Sequence, residues 1–303
     1  MQQKNANLKP RIACEFSPTR LIAARSTNTR NAVEVYTSRA VPRDAVRPSV
    51  LLPNINNPAA LTSELQNALS AVSGRQRDVS VVIPDASVRV TILDFDRLPA
   101  TEEEARAVVR LRFRRNVPFE VEDAAVSFQR LPSTSIETRV LAVAMPKNVL
   151  QGYESVVREA GFTPGIVIPA TLAALGAVDV SVPRMLVRHV PATVPEGVHS
   201  TTIVIASGND ILLYRTIEGT GVLKPEAALE DVYPSLVFYE DNYGAKLDSI
   251  YIDGIALSDE VRTSLQQRTG VTIRMLETSE GQNLAGDRIP GGALAPVVGV
   301  LIG

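Results

Sequence analysis

VVIPDASVRVTILDFDRLPATEEEARAVVRLRFRRNVPFEVEDAAVSFQRL, residues 81–131, is followed at residues 140–164 by VLAVAMPKNVLQGYESVVREAGFTP, and the order of elements in these stretches decides the fold. The first apolar run ends at Pro84, and residues 87–95 read as a second strand. Thr101, followed by Glu102, Glu103 and Glu104, starts a helix whose acidic first turn and basic last turn suit the macrodipole, and Pro118 ends it. Residues 124–131 and 138–144 add two strands, giving a small mixed unit of strands around one helix. Leu150, Tyr153, Val157 and Ala160 then share one side of a helix that Gly161 stops.

Upstream, residues 11–16, 21–26 and 32–40 read as a strand meander. Asn57 and Pro58 cap a helix carrying Leu61, Leu65, Ala68, Leu69 and Val72. Downstream come a strand at 165–168, a helix from Pro169 to about Ala177 and a boundary near Val178. A strand at 185–190 follows, then a hairpin of residues 201–206 and 211–217 joined through Ser207, Gly208, Asn209 and Asp210. Leu229, Val232, Leu236, Tyr239 and Tyr243 continue at helical spacing, with Pro234 predicting a kink or break. A strand at 249–253, a helix at 259–268 and a strand at 271–276 close two similar α/β halves.

At 303 residues the chain exceeds the roughly 100–200 residues usual for one domain. Hydrophobic residues make up 45% and charged ones 21%, which excludes a disordered chain. Lys plus Arg is 31 against 33 Asp plus Glu, so no bulk nucleic-acid footprint exists. One cysteine and two histidines exclude an internal disulfide and a zinc cluster, and favour a reducing compartment. Residues 1–10 lack the apolar core of a signal peptide, and residues 291–303 are too short to span a bilayer, so a soluble chain is expected.

Catalytic motifs are missing. No G-x-S-x-G, G-x-x-x-x-G-K-[ST], G-x-G-x-x-G or H-E-x-x-H occurs. Gly219, Thr220 and Gly221 read as a turn rather than a phosphate cradle. His189 and His199 read as structural or exposed, Cys14 as a small buried hydrophobe, and Asp94 and Asp96 as solvent-facing charges.

The two quoted stretches resemble the type IV pilus assembly family typified by PilM, within the actin-like ATPases. The likeness is carried by the strand ending at Pro84, Leu98-Pro99 before the helix, Val117-Pro118-Phe119 after it, the Ala142-Val143-Ala144 strand and Ala160-Gly161-Phe162. It implies an α/β, actin-like (ribonuclease H-like) two-domain fold. The first domain would be residues 1–178, with a small inserted α+β subdomain at about 79–144, and residues 179–303 a second, reduced one. It also implies a cytoplasmic protein, peripheral at the inner face of the inner membrane, which binds the cytoplasmic N-terminal peptide of a PilN-like inner-membrane partner and reaches the membrane through that partner alone.

In active relatives each phosphate loop carries Asp followed by Gly, because a carboxylate positions magnesium and glycine lets backbone N–H groups approach phosphate. The matching first loop here is Glu15-Phe16-Ser17-Pro18-Thr19-Arg20, without glycine and with Pro18 removing a donor. In the second, Leu186-Val187-Arg188-His189-Val190, Arg188 takes the acidic position. A guanidinium about 5 Å from a divalent ion costs roughly 6–7 kcal/mol at an effective dielectric of about 20. Arg188 therefore excludes the metal, swings aside, or binds phosphate itself. Gly254-Ile255-Ala256 keeps one glycine of the adenosine loop. Glu15, Ser17, Thr19, Arg20, Arg188, Gly219 and Gly254 thus mark a degenerate nucleotide site. Neither a cofactor nor catalysis is expected; the alternative is an ATP-binding switch using magnesium.

On a helical wheel Ala105, Val108, Val109 and Phe113 form an apolar sector with Arg112 in its middle. Arg112 either packs its stem with its head paired, or opens into the partner groove that the resemblance implies, with Leu111, Phe119 and Val121 as the apolar wall. Arg106, Arg110 and Arg114 lie opposite, on an expected solvated face.

Overall fold

The computed structural model describes residues 9–132, 137–278, 281–284, 289 and 291–303. The chain opens with β1 (Ile12–Phe16), β2 (Arg20–Ser26), β3 (Val33–Ala40), α1 (Pro58–Ser73) and β4 (Asp78–Ile83). Then come β5 (Arg89–Phe95), α2 (Glu102–Phe113), β6 (Ala124–Arg130), β7 (Thr138–Pro146), α3 (Lys147–Glu159), β8 (Thr163–Pro169) and α4 (Ala170–Leu175). The second half holds β9 (Arg184–Val190), β10 (Val198–Ser207), β11 (Asp210–Thr220), α5 (Pro225–Ala228), α6 (Val232–Tyr243), β12 (Ser249–Asp253), α7 (Asp259–Thr269) and β13 (Thr272–Met275). β14 (Gln282–Asn283) and α8 (Ala295–Ile302) follow.

The described residues form three sheets. The first runs β14-β3-β2-β1-β4-β8, the second β11-β10-β9-β12-β13, and the third β5-β7-β6. In the first, β1 is antiparallel to β2 and parallel to β4, so the meander and the crossover after α1 meet on one central strand. That strand is buried along its whole length, Cys14 included. One face of the sheet packs on α1 and α3 through Leu61, Leu65, Leu69, Tyr153 and Val157. The other packs on α4 and α8 through Ala170, Ala173, Val297 and Leu301.

Local chemistry sets the helix starts. The Asn57 side chain accepts from the Ala60 N–H at 3.2 Å, with Pro58 next. Thr101 accepts from the Glu104 N–H at 3.4 Å and donates to its carboxylate at 2.6 Å, tying the start of α2 from both sides. At Pro234 the expected break falls a few residues earlier, between α5 and α6, which leaves the proline in the first turn of α6. There its missing N–H has no helical acceptor to disappoint.

Two expected boundaries are corrected. β4 pairs with β1 and β8 in the first sheet, so the insert starts only at β5 and extends through β7 to Pro146. The C-terminal segment, expected in the second domain, returns to the first: β14 pairs with β3, and α8 lies against α4, β1 and β2. The crossing with α4 is close because Gly299 faces Ala173, where a Cβ would overlap the Ala173 carbonyl oxygen. No helix among the described residues is long and apolar enough to cross a membrane.

Candidate functional site

The first and second sheets face each other across a cleft of about 520 Å³. Glu15, Ser17, Thr19, Arg20, Arg188 and Gly254, named from the sequence, all line it. Gly219 does not. It lies on β11 opposite His199, where a Cβ would come within 2.6 Å of the imidazole Nε2, so its glycine answers to packing against a ring.

Arg188 crosses the cleft floor. It donates from Nη2 to Glu15 Oε1 at 2.6 Å and lies 3.3 Å through Nε from Asp253 Oδ2. Glu15 belongs to β1 and Asp253 to β12, so one guanidinium ties a strand of each sheet. All three side chains are buried. Burial holds the Glu15 carboxyl above the ordinary carboxylate range despite the pull of Arg188, and nearby Asp253 and Asp85 push it the same way. For Arg188, burial opposes the charge, but Glu15, Asp253 and Asp85 outweigh it and keep the guanidinium protonated. Glu15 Oε2 and Arg188 Nη1 are buried with no hydrogen-bond partner among the described residues.

Beside this pair, the loop after β1 spends its donors on itself. The Ser17 N–H bonds the Arg20 carbonyl at 3.0 Å, and the Thr19 and Arg20 N–H groups reach Ser17 Oγ at 3.4 and 3.1 Å. Pro18 has no N–H to offer. Gly254 has φ +77, and a Cβ there would overlap the His189 carbonyl oxygen, so close passage of two backbones demands glycine.

Sequence reading passed over Asp85, in the turn after Pro84 that leads into the insert. Its buried carboxylate accepts from the Thr171 N–H at 3.0 Å, the Thr171 hydroxyl at 2.6 Å and the Tyr214 hydroxyl at 3.1 Å. Thr171 opens α4 and Tyr214 lies on β11, so one side chain staples the root of the insert to both halves. Burial, with Asp85 adjacent, pushes the Tyr214 phenol well up. Farther out, Arg139 of the insert grips Asp210 at 2.9 Å and Arg89 pairs with Glu218 at 2.5 Å. The only sequence signal for Asp85 was a carboxylate in an otherwise apolar turn.

His189 and His199 are both buried, which settles the choice left open by the sequence. His189 Nδ1 hydrogen-bonds with Thr201 Oγ1 at 2.9 Å, that hydroxyl also lies 3.4 Å from the Ala228 carbonyl, and His199 Nδ1 donates to the Gly221 carbonyl at 2.8 Å. Burial, aided by His199, lowers His189 to about 4. Between pH 4 and the ordinary value near 6.5 the unfolded chain therefore binds the extra proton, and stability rises with pH across that window, then levels. Unfolding free energy followed from pH 4 to 7 is expected to gain up to about 3 kcal/mol from this residue. His189→Gln should lose that slope, and an unchanged slope would refute the assignment.

Between the insert and the first unit lies a groove of about 500 Å³. Phe119, Leu51, Glu120, Asp123 and Lys147 line it, and Leu51 is 64% exposed. Of the four residues expected there, Phe119 alone is in place. Val121 is buried in the insert core with Phe113. Leu111 and Arg112 are exposed on α2, because its buried stripe is Ala105, Val109 and Phe113 at four-residue spacing, with Val108 only half-buried at the margin beside Arg112. Arg110, expected in solvent, instead donates to the Val121 and Glu122 carbonyls at 3.2 and 3.3 Å.

This architecture has known counterparts among solved structures. A chain of the PilM–PilN type IV pilus biogenesis complex superposes with a TM-score of 0.75 at 18% identity, over 96% of this chain and 98% of that one. The cytoplasmic domain of EpsL, an inner-membrane component of the type II secretion system of Vibrio cholerae, gives 0.53 at 11% identity, over 96% and 94%. The ethanolamine utilization protein EutJ from Carboxydothermus hydrogenoformans gives 0.52 at 10% identity, over 98% and 91%. The fold is the actin-like fold of PilM. No family model and no curated protein matches the sequence. Within the actin-like frame, the cleft lies between the two α/β units and the three-stranded sheet with α2 is the insert of the first.

Proposed function

We propose that this chain is a non-catalytic, actin-like scaffold of a type IV pilus or related secretion assembly machine. It holds the cytoplasmic N-terminal peptide of a PilN-like inner-membrane protein in the groove between insert and first unit, at the inner face of that membrane. The likeness to a chain of the PilM–PilN complex over nearly its whole length supports the pilus reading. Phe119 and Leu51 would take an apolar side chain of the peptide, and Glu120 and Asp123 a cation beside it.

The observation that carries the non-catalytic part is Arg188, inserted between Glu15 and Asp253 where the resemblance calls for a metal-positioning aspartate. Magnesium–triphosphate does not suit this donor set: a fixed cation holds the metal position, and the first loop has no spare N–H group at Ser17, Thr19 or Arg20.

Calorimetric titration tests both halves. Magnesium–ATP is expected to give no heat, and a peptide from the cytoplasmic tail of a PilN-like protein to bind, with affinity falling at least tenfold in Phe119→Glu. ATP binding tighter than about 10 μM, near −7 kcal/mol, would restore the nucleotide-switch reading. A peptide indifferent to Phe119→Glu would remove the groove.

A further inference from the structure

The last turn of helix α2 and the turn after it read Leu111-Arg112-Phe113-Arg114-Arg115. Phe113 is fully buried and anchors this end to the insert, whereas Leu111 is 68% exposed and Arg112, Arg114 and Arg115 are all exposed. None of the three arginines has a hydrogen-bond or ion-pair partner among the described residues. Their neighbours on the same helix are engaged: Arg106 pairs with Glu102 at 3.1 Å, and Arg110 is spent on backbone carbonyls. The helix dipole accounts for a cation in the last turn, but Arg114 and Arg115 stand at and beyond its end.

Among the described residues no carboxylate pairs with the cluster, and Glu120, Glu122 and Asp123 form no ion pair at all. The result is a helix end with three free guanidinium groups around one exposed leucine, the combination that favours the headgroup region of an anionic bilayer.

We propose that this end of α2 is a contact surface for an anionic phospholipid leaflet. Each basic side chain close to such a surface raises partitioning about fivefold, so three together give about a hundredfold preference over a neutral surface. Leu111 adds a shallow apolar insertion. The contact would hold the insert against the bilayer directly, beyond any tether supplied by a partner, and it does not depend on the groove reading. Arg115 is four residues from Phe119, so the chain places the two within about 15 Å.

The test is co-sedimentation of the full chain with vesicles of phosphatidylcholine containing about 30% phosphatidylglycerol, against phosphatidylcholine alone, at low salt. Partitioning is expected to be about a hundredfold stronger on the anionic vesicles and to fall steeply as salt rises. The triple variant R112E/R114E/R115E should lose the preference while keeping the wild-type melting temperature. Should that variant fold poorly, the single variants Arg115→Glu and Leu111→Ser are each expected to weaken binding several-fold. Equal partitioning on both vesicles, indifference to charge reversal, displacement by millimolar inorganic phosphate, or capture by a soluble acidic peptide in place of vesicles would each overturn the proposal.

Discussion

Arg188→Ala is expected to destabilise the protein by about 3–5 kcal/mol, because it strands two buried carboxylates that now share one cation. In urea the midpoint should fall, while Asp85 and the Arg139–Asp210 pair still join the halves. The companion experiment is Arg188→Met with Glu15→Gln, which removes charge from both sides and should recover most of the loss. A single substitution costing under about 1 kcal/mol would mean that Glu15 is neutral or hydrated in the native state, and that the guanidinium does not bind the halves together.

A comparable loss is expected at Asp85. Asp85→Ala orphans the Thr171 N–H and hydroxyl and the Tyr214 hydroxyl, all around a buried carboxylate. At about 1–3 kcal/mol for each orphaned donor, and with partial relaxation, the cost should be about 3–5 kcal/mol. Amide exchange should show the root of the insert opening before either main sheet. Asp85→Asn keeps an acceptor and should recover about half. If Asp85→Ala instead melts like the wild type, the three donors must have found other acceptors, and Arg139, Arg89 and the apolar packing of Leu141 on Val204 and Tyr214 hold the insert without it.

Periodicity and capping rules made much of the fold legible before any coordinates. The caps at Asn57 and Thr101, the hairpin through Gly208 and the stop at Gly161 depend on neighbours a few residues away, and all recur in the structure. Long-range partnerships were not legible. Nothing near Gln282 signals pairing with β3 some 250 residues earlier, and an apolar tail such as residues 295–302 does not say which half it will cover. The same divide runs through the site. The family resemblance placed Glu15 and Arg188 in one cleft, but their pairing joins positions 173 residues apart. The groove suffered because a wheel treats Val108 and Val109 alike, whereas the sheet takes only one of them into its core.

The joint between the halves is made of side chains that come with the chain. A hinge built on a bound metal and nucleotide opens when fuel is spent or a chelator strips the ion; a guanidinium between two carboxylates does neither. On the proposed scaffold reading, such a molecule keeps the same posture in starved and energised cells. Any signal it relays would then arrive through the surfaces it presents.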